Sequence, residues 1–386
     1  MAEASIIAVL NQLVLRAITM RASDIHIETQ PQAVRIRYRI DGLLHDQPAI
    51  EKSSANQLLS RIKVLASLDI AQSRLPQDGK FTIPYDGRLI DIRVSTFPSV
   101  LGEKCVLRIL DRAAGLIDFS HLGMEQTLEE QIRTCVKAHA GFFLITGPTG
   151  SGKTTTLYAL LNEINTPSLH IVTLEDPVEY TVTGITQSQV NPGIGFTFAQ
   201  GIRAMLRQDP DVILIGEVRD RETASVAIES ALTGHLVLST IHTVNAVQVI
   251  IRLMDMGIEP FLINASLTGI LAQRLARRIC THCVVSYEPT AQERALLHAL
   301  GAPSNSTVSK GKGCVHCLHT GYHGRVGIFE LLIITDALRE LISGHAHAPA
   351  LEAQCKKNGM RTLAHDALDK LSKGVTTVEE IARVLL

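Results

Sequence analysis

Residues 147–156 read Gly-Pro-Thr-Gly-Ser-Gly-Lys-Thr-Thr-Thr, a glycine-rich stretch that ends in a lysine and three threonines. It fits the pattern G-x-x-x-x-G-K-[ST] between an apolar run predicted as a buried strand, Phe142 to Ile145, and a predicted helix, Thr154 to Ile164. Glycines let backbone N–H groups point at phosphate oxygens, and the helix N-terminus favours negative charge. The pattern therefore predicts a phosphate loop that binds a nucleotide. An ordinary glycine-rich turn is the alternative, and the strand and helix on either side argue against it.

The predicted loop contributes both backbone and side-chain ligands. The Lys153 ammonium would reach the outer phosphates, and the Thr154 hydroxyl would bind Mg²⁺. The full predicted nucleotide-binding set is Gly147, Pro148, Thr149, Gly150, Ser151, Gly152, Lys153, Thr154 and Thr155.

Hydrolysis of the bound nucleotide needs an acidic side chain in addition to the phosphate loop, and two stretches of the sequence contain candidates. The run from Asp211 to Glu217 is an apolar strand whose end delivers a carboxylate, so Glu217 is the predicted catalytic base or water-positioning residue. Asp211 begins the strand and is the weaker candidate. Glu175-Asp-Pro-Val-Glu179 places three carboxylates after another predicted strand, where α/β active sites gather. A solvated acidic loop is the alternative for this second stretch.

Two histidines and two arginines are further candidates. His235 and His242 bracket a predicted strand, where they either sense the terminal phosphate or serve as ordinary structural residues. Arg93 and Arg108 lie in predicted strands nearer the N-terminus. Residue spacing alone favours a position on a solvated edge or in an internal salt bridge for these arginines. The alternative is that they reach the nucleotide site of a neighbouring subunit and stabilise the charge of the phosphoryl group there.

Four of the seven cysteines form two C-x-x-C pairs, Cys280 with Cys283 and Cys314 with Cys317. Four thiolates predict a tetrahedral Zn²⁺ site with no open position, which makes the metal structural, and they fit a reducing compartment. The long gap between the pairs implies an inserted loop. Histidines lie close by, so a mixed-ligand site is the runner-up and unpaired buried thiols are the third possibility. These histidines are His282, His316, His319 and His323.

The chain of 386 residues is too long for a single ordinary hydrophobic core, so several domains are expected. The pattern of apolar residues also changes along the chain. An α+β domain is expected over 1–110, with helices at Ile6–Ile18 and Ser53–Ile70 and hairpin turns at Asp41-Gly42, Asp78-Gly79 and Asp86-Gly87. Ala113-Ala114-Gly115 and Gly123 mark a linker over 111–124. Helices, the first ending at His139, then alternate with strands over 125–275, which predicts a wound α/β core of the RecA-like P-loop type. A cysteine-rich segment (276–325) and a mostly helical region (326–386) follow.

Composition narrows the function classes. Hydrophobic residues make up 46% and charged residues 19%, so the chain is globular. A net charge of −1, no Trp and 4% aromatic residues argue against a nucleic-acid motor, the main alternative class. A small-molecule kinase, a further alternative, leaves the cysteine segment unexplained. No apolar run reaches the length of a membrane span, and we expect a cytoplasmic protein.

Taken in this order, the motifs resemble those of the secretion ATPase superfamily, whose motors drive type II secretion and type IV pilus assembly. The resemblance covers nearly the whole chain. It includes the phosphate loop, the aspartate box Thr173–Tyr180, the Walker B region Arg207–Asp220 and the histidine box Thr233–Thr243, with Ala22–Glu28, Leu75–Gly79 and Arg93–Thr96 upstream.

The resemblance implies a hexameric ATPase that uses ATP, Mg²⁺ and Zn²⁺ and works at the cytoplasmic face of the inner membrane. It makes Glu217 the catalytic glutamate, assisted by Glu175. It also makes Arg93 and Arg108 arginine fingers, in place of the solvated-edge or salt-bridge roles that residue spacing alone favours. The residues 1–110 correspond to the family's second N-terminal, PAS-like domain, and the partner implied is the membrane platform protein.

Two features of the resemblance concern the branch of the superfamily. The tetracysteine segment excludes the pilus-retraction type, and the stretches Met256–Leu262 and Leu271–Leu275 favour the type II secretion ATPases over the pilus-assembly ATPases. Full-length members carry another N-terminal domain, which docks on a membrane-anchored recruiting subunit. This sequence does not show that domain, so the chain is either a piece of a longer protein or a short member, and the implied partnership with the recruiting subunit depends on which of the two holds.

Overall fold

The computed structural model describes residues 6–111, 117–137, 140–302 and 307–386, which form two compact units, Met1–Gly115 and Leu116–Leu386. The predicted linker residues Ala113-Ala114-Gly115 and the predicted helix end at His139 lie outside the described residues. None of the helices in the described ranges is long and apolar enough to cross a membrane.

The first unit is a six-stranded antiparallel sheet in the order β3-β2-β1-β6-β5-β4, packed against two helices. On β2 the apolar side chains from Val34 to Ile40 face the core and the intervening arginines lie on the opposite face, as the alternation predicts. The elements are α1 Ile6–Thr19, β1 Ala22–Thr29, β2 Ala33–Ile40, β3 Leu43–Glu51, α2 Ala55–Leu65, β4 Gln77–Tyr85, β5 Arg88–Ser99 and β6 Gly102–Asp111.

Two of the three predicted hairpin turns in this unit are confirmed. Asp41-Gly42 and Asp86-Gly87 have positive φ at both positions, as a two-residue type I′ turn requires. The turn predicted at Asp78-Gly79 is wrong, because both residues lie inside the continuous strand β4. A Cβ on Gly79 would lie 2.5 Å from the Ala66 carbonyl oxygen, so this glycine permits a close approach to the end of α2.

Helix α2 is shorter than the apolar spacing predicts and ends at Leu65, not Ile70. Ser67 has a φ of +56°, which takes the backbone out of the helix. Leu68 still packs on the core of this unit, so the apolar period continues after the helical backbone has ended.

The second unit is built on a seven-stranded sheet in the order β15-β12-β7-β11-β10-β8-β9, parallel except for β15. This confirms the predicted α/β class with a parallel sheet. The elements are α3 Gln126–Lys137, β7 Gly141–Thr146, α4 Lys153–Ile164, β8 Ile171–Glu175, β9 Thr186–Gln189, α5 Phe198–Met205, β10 Val212–Ile215, α6 Arg221–Leu232, β11 Leu236–Ile241, α7 Ala246–Asp255, α8 Pro260–Ser266, β12 Leu267–Ile279, β13 Val284–Tyr287, α9 Ala291–Ala299, β14 Val308–Gly311, β15 Tyr322–Ile333, α10 Asp336–Ser343, α11 Ala348–Lys357, α12 Leu363–Ser372 and α13 Val378–Leu385.

The core sheet extends further along the chain than the sequence indicated. Strand β12 continues to Ile279, beyond the predicted end of the core at 275, and β15 pairs with it antiparallel. The region from 326, predicted as mostly helical, therefore begins with a strand. Residues 328–332 of β15 are all buried, so they show no alternation that could have indicated a strand. The cysteine segment is thus an excursion between two neighbouring strands.

Candidate nucleotide site and cysteine cluster

The glycine-rich loop connects β7 to α4 at the carboxyl edge of the parallel sheet. Gly147, Gly150 and Gly152 have φ values of +149°, +79° and +88°, which favour glycine over residues with a Cβ. A Cβ on Gly147 would lie 2.3 Å from the main-chain oxygen of Gln273 on β12. The loop is therefore built for close backbone approach, with Thr154 exposed in the first turn of α4.

Lys153 reaches back across this loop. Its Nζ donates hydrogen bonds to the main-chain oxygens of Gly147 at 2.9 Å and Pro148 at 3.1 Å. The residue is 9% exposed, and burial lowers the pKa of its ammonium to about 8, although Glu217 opposes this shift; Arg274 adds to it. An ammonium that is poorly hydrated in this way is suited to pairing with an anionic phosphate.

Glu217 follows β10 and faces the same loop through His242, the residue that follows β11. The Glu217 Oε2 lies 3.6 Å from the His242 Nε2, and the His242 Nδ1 lies 3.5 Å from the Lys153 Nζ. Arg219 forms an ion pair with the Glu217 carboxylate. Burial, Lys153 and Arg219 lower the pKa of His242, against the effect of Glu217, so its imidazole is neutral near pH 7. His242 thus lies between Lys153 and Glu217 and makes a polar contact with each of them.

Glu175 ends β8, the strand beside β10, and the residue is 3% exposed. It accepts hydrogen bonds from the Tyr158 hydroxyl, from the Thr173 Oγ1 at 2.5 Å and from the Gln187 Nε2 at 3.1 Å. Burial and this carboxylate raise the pKa of Tyr158, which keeps the phenol protonated as a donor. Tyr158 and Gln187 were not among the predicted site residues, because they come from α4 and β9 and no local motif includes them.

His235 and Asp211 lie at the amino edge of the sheet. His235 precedes β11, and its Nδ1 lies 2.9 Å from the Ser230 main-chain oxygen. A six-residue strand separates it from His242, which corresponds to about 20 Å. Asp211 accepts a hydrogen bond from the His170 main-chain N–H at 2.6 Å. The catalytic role predicted for His235 therefore does not fit its position, and Asp211 has a structural partner.

Arg93 and Arg108 belong to the first unit, where they are direct cross-strand neighbours on β5 and β6. The Arg108 Nε donates to the Asp24 Oδ1 at 3.0 Å, and Asp24 pairs with Arg108 across β1 and β6. The Arg108 side chain is nonetheless 60% exposed. The sheet thus carries two adjacent guanidiniums on its polar face, and the buried Asp24 carboxylate pairs with that of Arg108.

The four predicted cysteine ligands converge in the second unit. The Sγ–Sγ distances are 3.8 Å for Cys280–Cys314, 3.8 Å for Cys283–Cys317 and 3.7 Å for Cys314–Cys317. Sulfur atoms bound to one Zn²⁺ at about 2.3 Å in a tetrahedron lie about 3.8 Å apart, whereas a disulfide needs about 2.05 Å. The main-chain N–H groups of Cys314 and Gly321 donate to the Cys317 Sγ, and such donors favour the thiolate form that binds metals. The donor set therefore fits a metal ion.

The neighbouring histidines do not join this cluster. Within the described ranges, the group close enough to hold a metal consists of the four cysteines alone. The imidazoles of His282 and His316 instead stack on each other with ring centres 3.9 Å apart. The mixed-ligand alternative has no support in this geometry.

Comparison with known proteins decides the family. The model of the type II/IV secretion system protein family matches residues 1–383. The chain belongs to this family. The type II secretion system ATPase E of Vibrio cholerae serotype O1 is 47% identical over 382 residues, which are 99% of this chain and 76% of that protein. The type IV pilus assembly ATPase PilB of Thermus thermophilus is 44% identical over 96% of this chain and 42% of that protein.

A solved structure supports the same assignment. The pilus retraction motor PilT with bound ADP has a TM-score of 0.63 and 26% identity, covering 97% of this chain and 96% of that one. Membership of this family makes the chain a secretion ATPase, and ATP with Mg²⁺ are the ligands that this activity implies.

Proposed function

We propose that this protein is the ATPase of a type II secretion machine and uses ATP hydrolysis to drive pseudopilus assembly and protein export. The observation that carries the proposal is the 47% identity to the Vibrio cholerae type II secretion system ATPase E over 99% of the chain. Pilus extension is the second candidate, since the Thermus thermophilus PilB is 44% identical over a similar stretch. Both would act on an inner-membrane platform protein from its cytoplasmic side.

The proposed site assigns each residue at the carboxyl edge a role. Lys153 and the main-chain N–H groups of Gly147 and residues 149–155 hold the phosphates, and Thr154 binds Mg²⁺, which neutralises charge on the phosphates. Glu217 orients the attacking water and accepts its proton, and neutral His242 links that carboxylate to Lys153. Glu175 supports the same edge through its buried carboxylate.

We assign Arg93 and Arg108 as arginine fingers that reach the phosphates of a neighbouring chain in a homohexamer. Their position side by side on a polar sheet face supports this role. The test mixes Lys153→Ala chains with chains carrying Arg93→Ala and Arg108→Ala, each inactive alone. With equal amounts of the two chains, random assembly would restore about a quarter of the wild-type sites if the fingers act between chains. No recovery in assembled mixed rings would contradict the assignment.

We further propose that the four cysteines hold one structural Zn²⁺ and that residues 1–110 form the family's PAS-like domain. The tetrahedral spacing of the sulfur atoms supports the metal, and the antiparallel sheet with two helices supports the domain. The remaining proposed divisions are the linker 111–124, the RecA-like core 125–275, the zinc segment 276–325 and the C-terminal region 326–386. Strand β15, which crosses the boundary between the zinc segment and the C-terminal region, also belongs to the sheet of the core.

Deletion of the gene in its own bacterium separates the two candidate machines. The proposal predicts that export of secreted enzymes stops while surface pili persist, and that wild-type protein but not Glu217→Gln restores export. Loss of pili with normal export would instead assign the chain to pilus extension. Flanking secretin and pseudopilin genes would agree with the first outcome.

A further inference from the structure

Gln273 lies in the middle of β12, on the strand beside the one that leads into the phosphate loop. Ala272 of β12 pairs in parallel with Thr146, the last residue of β7, so Gln273 lies beside the first residue of the loop. Its side chain is buried, with the residue 2% exposed. A buried amide needs partners for both its N–H₂ group and its oxygen.

Both partners of this amide belong to the phosphate loop or to the helix that follows it. The Gln273 Nε2 donates to the Ser151 main-chain oxygen at 2.8 Å. The Gln273 Oε1 accepts a hydrogen bond from the Thr156 Oγ1, also at 2.8 Å. One side chain therefore ties the end of the loop to the first turns of α4.

The first of these bonds fixes the orientation of a peptide group. The carbonyl of Ser151 and the N–H of Gly152 belong to one planar trans peptide and point in opposite directions. Because the Ser151 carbonyl points at Gln273, the Gly152 N–H points away from β12. Gly152 has a φ of +88°, and a Cβ there would lie 2.8 Å from the Gln273 Nε2, so the loop fits closely around this amide.

We propose that Gln273 is a positioning residue for nucleotide binding: its amide holds the Ser151–Gly152 peptide so that the Gly152 N–H is presented to a phosphate oxygen. The inference rests on the proposed nucleotide site. It assigns a role in that site to a residue of a distant strand that no part of the glycine-rich motif contains. Binding energy is gained because the donor is already oriented before the phosphate arrives.

The test measures ADP affinity by calorimetry and unfolding temperature by circular dichroism on the full chain. Gln273→Met keeps the length of the side chain and removes both hydrogen bonds, and the Kd of ADP should rise about tenfold, the usual effect of one well-placed buried hydrogen bond. Thr156→Val leaves the Ser151 contact in place and should change Kd by less than about threefold. If Gln273→Met does not fold, Gln273→Asn, too short to reach Ser151, should show the same tenfold rise.

Asn264→Leu is the matched control. Asn264 is also a buried amide, and its Nδ2 donates to the Arg339 main-chain oxygen at 3.0 Å and the Ser343 Oγ at 2.9 Å, but it lies before β12 at the amino edge. This variant should lose stability and keep its ADP affinity. If Gln273→Met lowers the unfolding temperature and leaves the Kd of ADP unchanged, Gln273 is structural only and the inference is overturned.

The ADP affinity of Lys153→Ala tests the proposed nucleotide site separately from the role of Gln273. Lys153→Ala should abolish ADP binding. If Lys153→Ala binds ADP like the wild type, the proposed site is wrong. If Lys153→Ala loses binding and the Gln273 variants do not, only the role of Gln273 is wrong.

Discussion

The buried lysine of the phosphate loop makes nucleotide affinity depend on pH. Burial lowers the pKa of Lys153 to about 8, against the attraction of Glu217 and together with the repulsion of Arg274. Phosphate binding needs the ammonium form, so as the pH rises through 8 the free protein must take up a proton before it binds ADP. The charged fraction falls from about nine-tenths at pH 7 to about one-tenth at pH 9, and the Kd of ADP should rise about tenfold.

Calorimetric titration of ADP at pH 7, 8 and 9, in two buffers of different ionisation enthalpy, measures both the affinity and the protons taken up. About half a proton per site is expected at pH 8. Lys153→Arg is the control, since a guanidinium stays charged over this range and its ADP affinity should not change with pH. His242 does not interfere, because its lowered pKa keeps it neutral. A wild-type Kd that is constant from pH 7 to 9 without proton uptake would refute the reasoning.

Two further predictions concern the cysteine cluster and the buried Glu175 carboxylate. Replacement of Cys280 and Cys283 by Ser should reduce the zinc content from one ion per chain to none and lower the unfolding temperature, because metal binding contributes to folding; unchanged metal by mass spectrometry would rule out the site. Tyr158→Phe removes one of three donors to the buried Glu175 carboxylate, so the free energy of unfolding in urea should fall by about 1.5–3 kcal/mol. A change below about 0.5 kcal/mol would show that the hydroxyl is not needed there.

The phosphate loop was predictable because its signal is local. The glycines, the lysine and the flanking apolar run are consecutive, and α4 begins within one residue of its predicted start at Thr154. The cysteine pairs were predictable for a similar reason, since the C-x-x-C spacing fixes two ligands at once. Their convergence across the intervening segment agrees with the expected donor set.

Features that depend on strand order could not be predicted in this way. His235 and His242 flank one strand symmetrically in the sequence, and only the parallel direction of the sheet decides that His242 lies at the loop edge. Gln273 and Gln187 reach the site from β12 and β9, strands that no short motif connects to the loop. Gly79 resembles a turn residue in the sequence, whereas the structure requires it for a close approach to Ala66, the residue that follows α2.

The relation between Lys153, His242 and Glu217 is the central feature of the site. Glu217 is mostly buried and forms an ion pair with Arg219, which holds its carboxylate next to the loop. Because a glutamine has nearly the same shape, Glu217→Gln should preserve ADP binding while the base is lost. Binding and hydrolysis can therefore be separated by single substitutions.

The most direct test is the rate of phosphate release from ATP with Mg²⁺, measured side by side for the wild type, Glu217→Gln and Lys153→Ala. The wild type should turn over ATP, Glu217→Gln should bind ADP normally and release phosphate about a hundredfold or more slowly, and Lys153→Ala should do neither. Phosphate release at the wild-type rate by either variant would contradict the assignment of this loop and this glutamate as the site of ATP hydrolysis.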